Sequence, residues 1–183
     1  HNTRHPLITA SWATTMHRLS GGRFTLGIGR GIAAIYNAFG VPAVTTAQME
    51  DFARVMRRLW RGEVIVGHNG PIGNYPVLVI DPDFDEDIRL ALVAFGPNTL
   101  ALGGREFDDV ILHTFFTPET LLRSVTTVKE AAERAGRDPD AVRVAVDEAA
   151  DGVDVALGQH LAAVDDDDVA GQRLDLVQDV ARD

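Results

Sequence analysis

The sequence predicts an α/β fold in which parallel strands alternate with helices. Four short apolar runs predict the strands, because each has the length of a buried strand and is bounded by glycine, proline or charged residues. Segments with apolar residues at helical spacing separate these runs. Strands that alternate with helices form a parallel sheet through right-handed crossovers. The predicted strands are residues 24–28, 88–94, 109–113 and 142–146.

Capping residues, prolines and glycines predict where the helices begin and end. Two glycines after residue 19 let the chain leave the first helix in a left-handed conformation. Thr45 and Gln48 predict a capping box at the start of the second helix. Pro97 and Pro118 each stand where the first turn of a helix accepts proline. The predicted helices are residues 6–19, 45–61, 97–103 and 117–136.

One long segment interrupts the alternation. Residues 62–87 are rich in glycine, proline and aspartate, which predicts an excursion from the strand-and-helix pattern. We expect a short strand pair within it, at residues 64–66 and 77–80.

Composition excludes several functional classes. The 183 residues suffice for one domain with a sizeable core, and no apolar run approaches the ~20 residues that span a bilayer. The absence of cysteine excludes disulfides, thiolate catalysis and cysteine-ligated zinc. The acidic balance argues against nucleic-acid binding, which needs a basic face. No signal peptide is recognisable in residues 1–20, so the cytoplasm is the expected location.

The charge is unevenly distributed. The net charge is −10, but residues 1–146 carry 15 basic and 16 acidic side chains, whereas residues 147–183 carry 2 basic and 11 acidic ones. Repulsion among the four aspartates at 165–168 favours a solvated segment, and their consecutive spacing is not that of a calcium loop. We therefore expect one domain over residues 1–146 and an acidic tail over residues 147–183, with no metal site.

A glycine-rich loop follows the first predicted strand. Gly29, Arg30 and Gly31 leave bare backbone at the carboxyl end of that strand, which is where ligands bind in α/β folds. Contact with a flavin-type cofactor and a purely structural turn both fit this pattern.

A Rossmann dinucleotide site is a third interpretation of the same loop. Residues 29–34 match G-x-G-x-x-A, and this interpretation places Glu50 or Asp51 near the ribose of NAD(P). Gly40 and Pro42 interrupt the helix that such a site needs, which argues against it.

The end of the second predicted strand is the better phosphate candidate. Gly96 allows close approach of a ligand to the backbone, and the helix that begins near Pro97 offers free amides and the positive end of its dipole. Asn98 and Thr99 add side-chain donors. A simple proline-initiated helix start is the alternative interpretation.

Histidines supply the remaining candidates. His113 ends the third predicted strand, so it lies on the carboxyl edge, where it could act as acid, base or substrate contact. A buried histidine bonded to backbone is the alternative. Arg4 and His5 precede the first helix and are weaker candidates for a ligand contact. We interpret the others as scattered surface or packing residues: His17, His68 and His160.

The stretch 19–31, LSGGRFTLGIGRG, with Arg4, His5 and Pro6 ahead of it, resembles the bacterial luciferase-like family of flavin- or deazaflavin-dependent oxidoreductases. Further matches follow in the family's order, and together they cover roughly residues 4–146. They are FGVP at 39–42, LWRGE at 59–63, AFGP at 94–97, FDDVIL at 107–112 and AGRDP at 135–139.

This resemblance implies a partial (β/α)8 TIM barrel that contains about strands four to seven. It also implies an oxidoreductase that uses coenzyme F420, with FMN as the alternative, for hydride transfer to a small organic substrate. His113 is then the expected catalytic, substrate-side residue. The expected cofactor-binding residues are Gly29, Arg30, Gly31, Gly96, Pro97, Asn98 and Thr99.

A partial barrel leaves two other expectations open. Exposed strand edges and an unburied core favour a homo-oligomer that completes the barrel. The second expectation is an inactive half-barrel that remains as a remnant or serves as an interaction module.

Overall fold

The computed structural model describes residues 3–113 and 115–146, which form a four-stranded sheet, a β-hairpin and helices between the strands. One 3₁₀ turn, Pro139–Ala141, precedes the last strand. In chain order the elements are α1 (Pro6–Leu19), β1 (Thr25–Ile28), α2 (Ala33–Ala38), α3 (Thr46–Trp60), β2 (Ile65–Gly70), β3 (Gly73–Leu78), β4 (Arg89–Val93), α4 (Pro97–Glu106), β5 (Asp109–Leu112), α5 (Pro118–Arg134) and β6 (Arg143–Val146).

The sheet is parallel throughout, in the order β1-β4-β5-β6. Its four strands are the four predicted ones, each shortened by one or two residues. The sheet and helices share one hydrophobic core, which includes Leu90 and Leu92 on β4 and Phe52 and Met56 on α3. The indole N–H of Trp60 donates to the carbonyl of Ala10 at 3.3 Å and so ties α3 to α1.

All four predicted helix starts are confirmed, including that of α4 at Pro97. Helix α1 has the predicted bounds. The capping box at α3 is complete, because the Thr45 hydroxyl accepts from the Gln48 N–H and the Gln48 side chain accepts from the Thr45 N–H. The Thr117 hydroxyl accepts from the Thr120 N–H at the start of α5.

Helix α2 was not predicted from the sequence, and the hairpin is longer than predicted. None of the six residues of α2 is buried, so no apolar spacing marks it. Strands β2 and β3 pair from Ile65 with Leu78 to Gly70 with Gly73, whereas the expectation was 64–66 and 77–80. Their glycines and asparagines break the apolar alternation that would have shown the full length.

Helix α4 continues to Glu106, three residues beyond its predicted end, because two glycines let it pack closely. A Cβ at Gly103 would lie 2.5 Å from a methyl of Val110 on β5, and one at Gly104 would lie 2.1 Å from the Val128 carbonyl oxygen on α5. The glycines that suggested a helix end therefore serve close packing.

The acidic tail lies outside the described residues, as do His160 and the aspartates at 165–168. Within the described ranges, no helix is long and apolar enough to cross a bilayer.

Two adjacent carboxylates organise the amino-terminal edge of the sheet. Asp109 pairs with Arg89 and Arg143, which begin the strands on either side of β5. Asp108 pairs with Arg57 and Arg137 and also accepts from a backbone amide at the start of β4. Burial alone would raise the pKa of Asp109, but hydrogen bonds from Arg89 and Arg143 outweigh burial and hold that pKa below its ordinary value.

The close contact of α4 with α5 predicts that Gly104→Ala destabilises the fold. The added methyl would overlap the Val128 carbonyl, and we expect the free energy of unfolding to fall by about 1–3 kcal/mol despite the better helix propensity of alanine. Urea denaturation measures this change. Gly27→Ala is the control, because nothing lies within 4 Å of a Cβ there. Equal stability of the Gly104 variant and the parent would contradict the packing argument.

The lowered pKa of Asp109 predicts a loss of stability in acid. Its ion pairs stabilise the fold above the pKa of an unfolded aspartate, ~3.9, and that contribution disappears as the pH falls through the lower folded pKa. We expect Asp109→Asn to be less stable at pH 7 and to show a shallower decline in acid. Chemical denaturation between pH 7 and pH 2.5 measures both. Glu133→Gln, at an exposed position, should keep the parent's slope.

Candidate functional site

The candidate residues lie on one edge of the sheet, because the strands are parallel and their carboxyl ends coincide. Gly29 directly follows β1, Gly96 comes three residues after β4, and His113 directly follows β5. A Cβ at Gly29 would lie 3.6 Å from that of Val93, so the glycine loop passes next to the end of β4. This edge brings the two predicted loops together.

Arg30 connects both loops. Its Nη2 donates to the Thr46 hydroxyl at 2.6 Å and to the Thr99 hydroxyl at 3.3 Å, and its Nη1 donates to the Val44 carbonyl at 3.2 Å. Arg30 is half-buried, and within residues 3–113 and 115–146 it forms no ion pair with a carboxylate. The other half-buried arginines of that range each pair with Asp or Glu: Arg57, Arg89, Arg105, Arg137 and Arg143.

Gly31 turns the chain into α2. Its φ is +70°, and a Cβ there would lie 2.2 Å from the ring of Tyr36, so glycine is required on both grounds. The structural-turn interpretation accounts for Gly31, whereas the guanidinium of Arg30 needs a further explanation.

The residues that a Rossmann site would need for the ribose are engaged elsewhere. Glu50 pairs with Arg54 and Arg105. Asp51 accepts from the Ile72 N–H, and its Oδ2 lies 3.1 Å from His68 Nε2. The Asp51 carboxylate is therefore hydrogen-bonded to the hairpin segment and is not available to a ribose.

The amino terminus of α4 is open at Gly96. Nothing lies within 4 Å of a Cβ placed on Gly96, and no side chain caps the helix. Pro97 and Asn98 are exposed, and Thr99 is half-buried beneath Arg30. The Thr99 N–H donates to the Gly96 carbonyl at 3.0 Å, so the Asn98 amide, the helix dipole and the Arg30 guanidinium are the groups that this region offers to an anion.

His113 is half-buried, and its Nδ1 accepts from the Phe115 N–H at 3.1 Å. This hydrogen bond assigns the proton of the neutral ring to Nε2. The alternative interpretation, in which His113 is bonded to backbone, therefore holds for Nδ1. The second nitrogen is available as a donor.

Three phenylalanines surround His113, and the sequence analysis did not identify them. The ring of His113 has centroid distances of 4.9 Å to Phe95, 4.7 Å to Phe115 and 6.4 Å to Phe116. Phe95 and Phe115 are 54% and 86% exposed. The signal that could have found them is an aromatic residue after each of two adjacent strands.

A family model described as luciferase-like monooxygenase matches residues 1–178. The chain belongs to the luciferase-like monooxygenase family. Its described residues form part of a (β/α)8 TIM barrel, as the resemblance implied. A curated relative from Mycobacterium sp. (strain JLS), named phthiodiolone/phenolphthiodiolone dimycocerosates ketoreductase, is 30% identical over 168 residues, which are 86% of this chain and 44% of the relative. The luciferase-like chain thus spans less than half of that relative's length.

Solved structures that share this fold contain two kinds of cofactor. An F420-dependent secondary alcohol dehydrogenase in complex with an F420-acetone adduct is 25% identical, with a TM-score of 0.67 over 78% of this chain and 44% of its own. A riboflavin lyase with modified FMN is 20% identical, with a TM-score of 0.61 over 79% of this chain and 38% of its own. Deazaflavin and flavin enzymes therefore both share this fold.

The other histidines within residues 3–113 and 115–146 have structural partners. His5 caps α1 by accepting from the Leu7 N–H, and its ring packs edge-on against Tyr75. His17 is buried with its Nε2 3.2 Å from Glu86. His68 lies with its Nε2 3.1 Å from Asp51, in keeping with the packing role that was one of the two expected for it.

Proposed function

We propose that the chain holds the phosphate end of coenzyme F420 in an oxidoreductase, with FMN as the alternative cofactor. The observation that carries this proposal is the half-buried guanidinium of Arg30, which has three neutral hydrogen-bond partners among the described residues. A partly buried charge is costly unless it is compensated. A phosphate that lies between Arg30 and the first turn of α4 would compensate it.

The residues present fit such an anion. Gly96 keeps the backbone accessible, and the Asn98 amide lies in the first turn of α4, where the helix dipole is positive. The hydroxyls of Thr46 and Thr99 hold the Arg30 side chain in place. Preorganisation of this kind lowers the entropy cost of binding.

When bound, the cofactor supplies hydride transfer, and the protein's residues supply position and polarity. His113 is the residue that we assign to the substrate. Since its Nδ1 accepts a backbone hydrogen bond, the neutral ring acts through Nε2 as a hydrogen-bond donor to substrate oxygen. It is not a proton acceptor while that bond persists.

Two similarities favour F420 over FMN. The structure with 25% identity is described as F420-dependent, and it acts on a secondary alcohol. The curated relative with 30% identity is described as a ketoreductase, which is the same interconversion of alcohol and ketone. The FMN-containing structure is less similar in sequence.

The competing function is an inactive half-barrel that acts as an interaction module. It predicts that neither cofactor binds saturably. Binding of F420 or FMN, followed by cofactor fluorescence, separates the two.

The proposed contact of Arg30 with the cofactor phosphate is tested by comparing the affinities of ligands with and without a phosphate. FMN and riboflavin differ only in the phosphate, so we expect the parent to prefer FMN, and Arg30→Ala to weaken FMN binding by roughly tenfold or more with little change for riboflavin. Fluorescence titration gives the dissociation constants.

Two further variants make this test specific. Arg30→Lys keeps the charge but loses the planar fork, and we expect an intermediate affinity. Arg134→Ala removes an exposed arginine at the far end of α5 and should leave both affinities unchanged. An equal loss for FMN and riboflavin in Arg30→Ala would show a structural role instead of phosphate binding.

A further inference from the structure

The four-stranded sheet has two unpaired edges within residues 3–113 and 115–146. Its order is β1-β4-β5-β6, so β1 and β6 each have one neighbouring strand there. All three pairings are parallel, so the four strands point the same way. An unpaired edge presents a row of free N–H and C=O groups. The free edge of β6 can therefore continue into the free edge of β1 of a second copy without reversing the direction of any strand.

One face of this sheet is open in the described part of the chain. Leu92 on β4 and Val110 on β5 point towards the helices and are buried in the core. Side chains alternate along a strand, so Val93 and Ile111 point to the other face, where Val93 is 36% exposed and Ile111 is half-buried. Ala145, opposite Ile111 on β6, is exposed. Parallel sheets are normally covered on both faces, so this face calls for further structure.

The β6 end of the sheet is also incompletely covered on the helix side among the described residues. Val144 and Val146 pack against the core there but are only half-buried. On α5, Leu122 and Val125 are half-buried as well. They share one side of α5 with Lys129, whose Nζ donates to the backbone carbonyl directly before β6 at 3.1 Å. An apolar surface at α5 and β6 is therefore left partly open.

Helix α1, at the other end of the sheet, carries an exposed apolar stripe. Ile8, Trp12 and Leu19 are 60%, 49% and 78% exposed, and their spacing of four and seven residues places them on one side of the helix. The Trp12 ring packs edge-on against Phe24, which directly precedes β1, with a centroid distance of 5.4 Å. The stripe thus borders the β1 end, just as the open surface of α5 borders the β6 end.

We propose that two copies of this chain close into one eight-stranded parallel barrel, in which β6 of each copy pairs with β1 of the other. Four strands are half of the eight in a (β/α)8 barrel, so a two-fold axis along the barrel closes it. Each junction of β6 with β1 of the other copy is called the seam here. At each seam α1 covers β6 of the other copy, and its apolar stripe meets Leu122 and Val125 there. The open faces of the two sheets become the interior of the barrel.

Sedimentation equilibrium of the 183-residue chain tests this assembly. One copy has a mass of 19.8 kDa, and we expect twice that mass with no further increase at higher concentration, because a closed barrel leaves no strand edge unpaired. A mass of one copy at every concentration overturns the proposal. A mass that keeps rising overturns it too, since it shows an open chain of copies.

Glutamate substitutions on the two sides of the seam test its geometry. Trp12→Glu and Leu122→Glu would each bury an unpaired charge, and we expect association to weaken at least tenfold. Val66→Glu is the control, because Val66 is 74% exposed on the hairpin and should leave the mass unchanged. Loss of the dimer in Trp12→Glu but not in Leu122→Glu would show that α1 packs against α1 of the second copy, which overturns the barrel.

Milder variants keep this test decisive if a glutamate disturbs the fold of one copy, which far-UV circular dichroism reports. Ile8→Glu repeats the change on the same stripe of α1, at a position that is 60% exposed. Leu122→Ala removes the apolar contact of α5 without adding a charge. Folded Ile8→Glu and Leu122→Ala chains that associate as tightly as the parent would overturn the seam.

Trp12 also reports the seam directly. The chain has two tryptophans, and Trp60 is 2% exposed, so a change in solvent exposure on association comes from Trp12. We expect tryptophan emission to shift to longer wavelength on dilution, at the concentration where the mass halves. Trp12→Phe keeps an aromatic contact and should stay dimeric without this shift. A parent dimer that dissociates with no shift overturns the position of α1. None of these outcomes requires FMN to bind at Arg30, so this proposal and the proposed function fail separately.

Discussion

The pair Asp108–Asp109 at the start of β5 fixes how the strands of the sheet align. Asp109 sits between arginines that begin β4 and β6, and Asp108 accepts from the Leu90 amide while its own N–H donates to the Leu90 carbonyl. The strands are only four or five residues long, so few ladder hydrogen bonds resist a shift. A one-residue slip would turn every side chain to the other face, and the charges at one edge oppose it. The ion pairs of Asp109 therefore oppose a register shift in addition to stabilising the fold.

Register at the amino edge determines which residues meet at the carboxyl edge. With Leu92 opposite Val110 and Val93 opposite Ile111, the residues after β4 and β5 arrive side by side, and the rings of Phe95 and His113 come into contact. The two edges use charge differently. At the amino edge the half-buried arginines are paired with carboxylates, whereas at the carboxyl edge Arg30 has neutral partners within the described residues. The ion pairs at the amino edge stabilise the sheet, whereas the Arg30 guanidinium has no carboxylate partner among the described residues and can interact with an anion.

Local sequence signals predicted the elements that depend on local chemistry. The capping box of Thr45 and Gln48 and the Thr117–Pro118 start of α5 were recognisable because the interacting residues are three positions apart. Contacts across the fold were not recognisable in this way. Arg30 meets Thr99 across 69 positions, and His68 meets Asp51 across 17, so no spacing rule connects either pair. Helix α2 was not predicted because none of its residues is buried, so no apolar residues at helical spacing mark it in the sequence.

The two proposed sites meet at one peptide bond. Phe95 faces the imidazole of His113, and Gly96 begins the turn that leads into α4. A change in the length of the loop after β4 would therefore displace the aromatic contact of His113 and the anion site together. The loop after β5 is under less constraint, since Phe115 is exposed and contributes a ring and one amide. Variation of substrate size in this scaffold is thus easier to achieve through the β5–α5 loop than through β4. The proposed phosphate site, which includes Arg30 in the loop after β1, is not altered by a change in the β5–α5 loop.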